Sequence, residues 1–353
     1  MSTLLDRFLR YRPAYRVASL GIIGYPLIFL WDQHWLPRPQ GEATALLRDR
    51  RFLKCQLKDR TQRTMYLGLF EPSETRLIGE LLTSGDTFVD IGAHVGWFTT
   101  IASKRVGQGT VLAVEPYASN AMLLKENLAR NHCSNVQLVE TALGSEPGVI
   151  TLRRTFGDSG AVTALPWAHD EAVEVPIATL DVVAADLPSV KLMKIDVEGW
   201  EAHVLRGGMS TLSRTDYVLI EINNPALREA GTSKDEIIGL LRDAGFANFS
   251  IVVERGLRRF VPTSVTNVLA SKPTEVGNPR AGTTSGMSRS TARHLHVDSG
   301  PTSATHPMRD AWSAPTLGTG RAGSSTLLAL LIDIGSTGNS KCRCRPMPDT
   351  HFE

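Results

Sequence analysis

Between residues 61 and 271, short apolar runs alternate with stretches whose apolar positions recur every three or four residues. Thr87–Ile91 (TFVDI), 110–115 (TVLAVE), 136–140, 192–196 (LMKID) and 217–222 (YVLIEI) predict strands, and 249–253 and 265–270 predict closing strands. Near-continuous apolar runs suit a sheet buried on both faces. Trp97–Val106, 119–131 and Lys234–Asp243 predict helices between them. Leu123, Leu124 and Leu128 share one helical face, and Gly245 stops the last helix. The alternation predicts a βαβ sheet. The stretch 144–190 is too long for one ordinary connection. Its runs 149–153 and 173–177 predict extra strands or a hairpin covering a pocket.

The flanks differ from this core. Residues 1–60 carry eleven basic and five acidic side chains, a local balance of +6. Inside them, 17–31 (VASLGIIGYPLIFLW) is uncharged, broken by Pro26 and short for a membrane span. Three readings stay open: a helix packed on the main domain, a segment lying on a membrane surface, or a signal or span. No small-residue cleavage site follows the run. In residues 272–353, Ser, Thr, Gly and Pro make up 37 of 82 positions, a composition that buries too little surface to offset chain entropy. The expected organisation is a basic and apolar extension over 1–60, a catalytic domain over 61–271 and a disordered tail over 272–353.

The composition of the 353-residue chain is globular, with 42% hydrophobic and 21% charged residues. A net charge of +2 argues against a nucleic-acid binder. Four cysteines are too few for a disulfide scaffold. Cys342 and Cys344 lack a second ligand pair, and no residue set has zinc spacing. Carboxylates gathered at one mouth could hold a divalent cation with water, but no metal is expected.

The chemistry concentrates at Asp90-Ile-Gly92-Ala93-His94-Val95-Gly96, a turn from a strand into a helix. Gly92 permits a sharp turn, and Gly96 lets helix and strand pack closely. The next strand ends in Glu115, 23 positions after Gly92, near the spacing at which an acid meets ribose hydroxyls. A pyrophosphate loop needs glycine where His94 stands and would be repelled by Asp90. The same Asp90 carboxylate suits the ammonium and the sulfonium-bearing arm of S-adenosyl-L-methionine. A NAD-type dinucleotide-binding oxidoreductase and a non-catalytic binding protein that retains the fold are the rivals.

These motifs, with Val114-Glu115-Pro116, Ala142-Leu143-Gly144, Lys194-Ile195-Asp196-Val197-Glu198-Gly199-Trp200-Glu201 and Val204-Leu205-Arg206-Gly207, resemble the FkbM family of S-adenosylmethionine-dependent methyltransferases. The resemblance implies an α/β, Rossmann-like class I methyltransferase sheet of seven strands, the last antiparallel. It also implies O-methylation of a sugar, a glycan or a polyketide-type natural product. His94 departs from the asparagine usual there.

Carried onto this chain, Asp90, Gly92, Ala93, His94, Gly96, Glu115, Pro116, Glu140 and Ala142 become candidate cofactor contacts. Asp90 and Glu115 are expected to grip opposite ends of the nucleoside. Asp196 is the first candidate base and Glu221 the second, because ligand sites open at strand ends in such sheets. Asp158, Ser159 and Glu198 are candidate acceptor contacts. The expected partner is a small-molecule or glycan acceptor, with no nucleic acid and with peripheral membrane contact through residues 1–40 as one reading. The expected location is cytoplasmic, at the inner face of a membrane where that contact is made.

Overall fold

A computed structural model describes residues 21–33, 35, 39–155, 158–164, 172–253, 265–273 and 292–294. Among the described residues the first elements are helix α1 (Gly21–Asp32), the hairpin strands β1 (Glu42–Leu46) and β2 (Phe52–Gln56), and helices α2 (Arg60–Tyr66) and α3 (Pro72–Leu81). The predicted alternation follows. It runs through β3 (Thr87–Ile91), α4 (Trp97–Val106), β4 (Thr110–Val114), α5 (Ala118–Arg130) and β5 (Val136–Val139). The long connection forms β6 (Ala142–Leu143), β7 (Gly148–Thr155), β8 (Asp158–Thr163), β9 (Ala172–Ala178) and the short helix α6 (Leu180–Val183). The second half holds β10 (Val190–Ile195), α7 (Glu201–Arg206), α8 (Met209–Ser213), β11 (Thr215–Asn223), α9 (Asn224–Glu229), α10 (Lys234–Asp243), β12 (Asn248–Val252), β13 (Val265–Ser271) and β14 (Ala292–His294).

The main sheet has the order β14-β12-β13-β11-β10-β3-β4-β5. Strands β11, β10, β3, β4 and β5 are mutually parallel, whereas β13 is antiparallel to both β11 and β12. Seven of these strands match the class I methyltransferase sheet. The eighth, β14, is a three-residue edge strand from a region expected to lack structure. The rest of the 272–353 tail, including Cys342 and Cys344, lies outside the described residues apart from Lys272 and Pro273.

Period-two alternation sorts the strand side chains between two layers. Phe88, Leu192 and Leu219 join the core beneath α4 and the hairpin. Val89, Met193, Ile195, Val218 and Ile220 join the core on the opposite face. Local signals start the helices where the pattern changes. Ser233 caps α10 by accepting from the Glu236 amide at 3.2 Å. Gly96, at φ 89°, supplies the left-handed entry to α4.

The chain before residue 61 is built into this core. Leu53, Cys55 and Leu57 are fully buried in the same cluster as Phe88, each Leu contributing about 1.5–3 kcal/mol. Asn131 and Asn127 extend the edge of β2: Asn131 accepts from the Phe52 amide at 2.9 Å, and Asn127 accepts from the Lys54 amide at 2.7 Å. Arg51 donates to the Trp97 carbonyl and to Thr100, and stacks its guanidinium on Trp97. On α1, Trp31 is buried, and Asp32 pairs with Arg63 and Arg60. The boundary expected at residue 60 therefore runs through a packed interior.

Candidate active site

A cavity of about 200 Å³ opens at the carboxyl ends of β3, β4, β10 and β11, where ligands bind in open α/β sheets. Gly92, Ala93, His94, Glu115, Pro116, Ala142, Asp196, Glu198 and Glu221 all line it. Strand register explains the gathering. Lys194 lies beside Asp90 on β3 and Leu219 on β11. One pleat onward, Asp196 and Glu221 stand on that same face at the strand ends.

Glu115 is the best-anchored of these groups. One oxygen accepts from the His94 amide at 2.8 Å, and the other from the Tyr117 amide at 2.9 Å. Asn120 donates at 3.4 Å to the oxygen that Tyr117 also uses, which leaves the oxygen facing His94 with a lone pair for a ribose hydroxyl. Burial pushes its pKa up to about 7, against the pull of those amides.

The loop amides separate the cofactor classes. Gly92 and Ala93 both donate to the Val114 carbonyl, His94 donates to Glu115, and Gly96 donates to Ala93. These four donors are engaged inside the protein, so the turn presents no ring of N–H groups to a pyrophosphate. Gly92, at φ 83°, is required by close approach, since a Cβ there would lie 1.8 Å from the Asp196 carbonyl oxygen.

Three expected cofactor contacts lie elsewhere. Asp90 is buried below the cavity floor, where it accepts from Thr99 at 2.6 Å, and burial holds its pKa high. Its neighbours make it a tether between β3 and α4. Gly96 faces α5, where a Cβ would meet Leu124 at 2.4 Å. Glu140 turns outward and pairs with Lys125. Asp158 and Ser159 belong to β8, and their side chains lie outside the described residues. The segment does reach the site: Thr163 donates to the Glu198 carbonyl, and Ala164 lines the cavity with Ile150 and Leu152 of β7. The hairpin expected over the pocket is present.

Sequence reasoning missed Lys194 and Glu71. Lys194 is buried, pairs with Asp196 at 2.7 Å and lies over the Phe98 ring. Burial alone lowers its pKa, but the facing carboxylates of Asp196, Glu71 and Asp90 outweigh this and raise it. Its two-residue spacing from Asp196 is the signal that places both on one strand face. Glu71 precedes Pro72 in a left-handed conformation, φ 37°, and had no comparable signal. Carboxylate oxygens of Glu71, Asp196 and Glu221 lie within 4.8 Å of one another, close enough to share a cation. Burial, and then the charges of Asp196, Glu198 and Glu71, push the Glu221 pKa well up.

Behind this cluster the chain turns through Glu198, φ 52°, and Gly199, φ 102°. Glu201 braces the turn by accepting from the Val197 and Gly199 amides. Burial pushes its pKa up to about 7.

Residues 90–247 match the methyltransferase FkbM domain. The chain is 29% identical over 196 residues to Methyltransferase 1 of Beauveria bassiana, covering 48% of this chain and 75% of that protein. It is 28% identical over 182 residues to the hexuronic acid methyltransferase AglP of Haloferax volcanii, covering 49% and 69%. A putative methyltransferase structure from Streptococcus mutans in complex with SAH aligns at 13% identity and a TM-score of 0.37, covering 57% of this chain and 96% of that one. The donor set fits S-adenosylmethionine. It combines the Glu115 carboxylate, the apolar edge of Val114, Pro116, Ala142 and Leu143, and carboxylates whose charge complements a sulfonium. The domain spanning residues 90–247 of this chain is an S-adenosylmethionine-dependent methyltransferase domain of the FkbM type.

Proposed function

We propose that the protein O-methylates a hydroxyl group on a sugar, a glycan or a related natural product. The observation that carries this reading is the Lys194–Asp196–Glu221 group at the mouth of the cofactor cavity. Glu115 and the 92–94 turn would hold S-adenosylmethionine, which would supply a sulfonium-bound methyl group and be released as S-adenosylhomocysteine. The remaining work falls to residues of this chain. A hydroxyl is a weak nucleophile, so its proton needs an acceptor aligned with the attack.

Asp196 and Glu221 stand where that proton would leave. Lys194 occupies Oδ2 of Asp196, which leaves Asp196 suited to orient the hydroxyl. The upward shift of Glu221 suits it to take the proton. The name of the Haloferax relative places a sugar acid in that enzyme's site. Here Glu71, Glu115, Asp196, Glu198 and Glu221 face the cavity, with Lys194 as counter-charge. That wall complements a neutral hydroxylated acceptor better than a carboxylated one.

The test combines calorimetry with S-adenosylhomocysteine and labelled methyl transfer onto fractionated glycans. Glu221→Gln and Asp196→Asn should each lower turnover by about a hundredfold or more while the affinity for S-adenosylhomocysteine holds. Parallel loss of affinity and turnover in Asp196→Asn would reassign Asp196 to the cofactor. Transfer only to nitrogen acceptors would overturn the O-methylation reading.

A further inference from the structure

We propose that the outward face of α1, together with Trp35, seats in the surface of an anionic lipid bilayer. Helix α1 is apolar on two sides. Its inward side is committed to the protein: Trp31 is 1% exposed, Leu27 and Ile28 pack on the core, and Asp32 is held by Arg63 and Arg60. A helix docked in this way normally turns polar residues to water. This one turns Ile23, Pro26 and Phe29 outward, three residues apart on one stripe, with Ile23 42% and Phe29 49% exposed. Trp35, 62% exposed, meets Phe29 edge to face at 6.1 Å and continues the stripe.

Length decides between lying on a bilayer and crossing it. The uncharged run from 17 to 31, bounded by Arg16 and Asp32, would extend about 22 Å as a helix, short of a hydrocarbon core of about 30 Å. Among the described residues, no helix is long and apolar enough to cross a membrane. An aromatic and aliphatic stripe of this size belongs at the headgroup boundary.

Charge selects the lipid. The sixteen residues at the start of the chain carry Arg7, Arg10, Arg12 and Arg16 against Asp6. A basic flank beside an apolar stripe is complementary to anionic headgroups. The consequence for the enzyme is one of position. Helix α1 packs on α2, and Thr61 and Met65 of α2 line the cavity. The cavity is thus linked to the membrane-facing stripe through two packed helices, α1 and α2.

Vesicle co-sedimentation of the full chain tests this without an acceptor. The protein should bind phosphatidylcholine vesicles containing phosphatidylglycerol, bind pure phosphatidylcholine about tenfold more weakly, and dissociate at high salt. The double variant Phe29→Glu, Trp35→Glu should lose binding while its melting temperature stays within a few degrees of wild type. Replacing Arg7, Arg10, Arg12 and Arg16 by Gln should weaken binding without touching the helix. Unchanged binding by both variants, or no binding to anionic vesicles, overturns the proposal. A wild-type dimer in light scattering that the double variant converts to monomer assigns the stripe to a second copy of the chain and overturns it equally.

Discussion

Glu115 makes the site pH-dependent in two opposite senses. Its carboxyl titrates near 7 in the folded chain against an ordinary value of 4.5. The folded state therefore holds that proton more tightly than the unfolded state. The associated stability is fully present below about 4.5 and is lost as the pH rises through about 7, by on the order of 3 kcal/mol. Buried Glu201, also shifted to about 7, adds the same trend. The ligand-free protein should melt at a lower temperature at pH 8 than at pH 5, as scanning calorimetry would record. Cofactor binding runs the other way, because ribose hydroxyls donate to the ionised carboxylate. The affinity for S-adenosylhomocysteine should rise by up to about tenfold per pH unit below 7 and level off above it. Glu115→Gln should flatten that profile; a profile unchanged by the substitution places the titrating group elsewhere. Glu115 was legible because a strand-end acid at that spacing is a local pattern. The hydrogen bond from Thr99 to Asp90 had no such signal, because it joins residues nine apart in different elements.

Among the elements, the turns that close the site are the least tolerant parts. Gly92→Ala would bring a methyl group onto the Asp196 carbonyl and force a side chain into a left-handed position. The expected loss is about 1–3 kcal/mol, or several degrees of melting temperature, with weaker cofactor binding because the 92–94 turn moves. A variant with wild-type melting and affinity would show that the β3 and β10 ends do not touch in solution. The regular alternation was readable from 87 to 271, since buried parallel strands and amphipathic helices announce themselves by period. Helices α2 and α3 and the β1–β2 hairpin were not. The hairpin lies within a basic, mixed-charge stretch, and its burial comes from Asn127, Asn131 and Trp97 far along the sequence.

The described residues from 21 to 81 are knit into the core of the sheet. Deleting residues 1–40 removes buried Trp31 and leaves Arg63, 2% exposed, without the Asp32 carboxylate. Losing the packing of that buried aromatic side chain alone costs about 3 kcal/mol or more. Thermal denaturation should fall by on the order of 10 °C. Melting identical to the intact chain would restore the picture of a detachable extension.

The placement of β13 sets an order of assembly during synthesis. This strand enters between β11 and β12, so Glu221 gains its sheet neighbour Asn267 only from the end of the domain. Until residues 265–271 leave the ribosome, β11 has one bare edge, with unpaired amides and carbonyls that invite pairing with other chains. The wall that carries the proposed base is therefore the last part of the cavity a nascent polypeptide completes. A message cut before codon 265 would yield a product with the β3–β4 cofactor turns encoded but no finished acceptor wall.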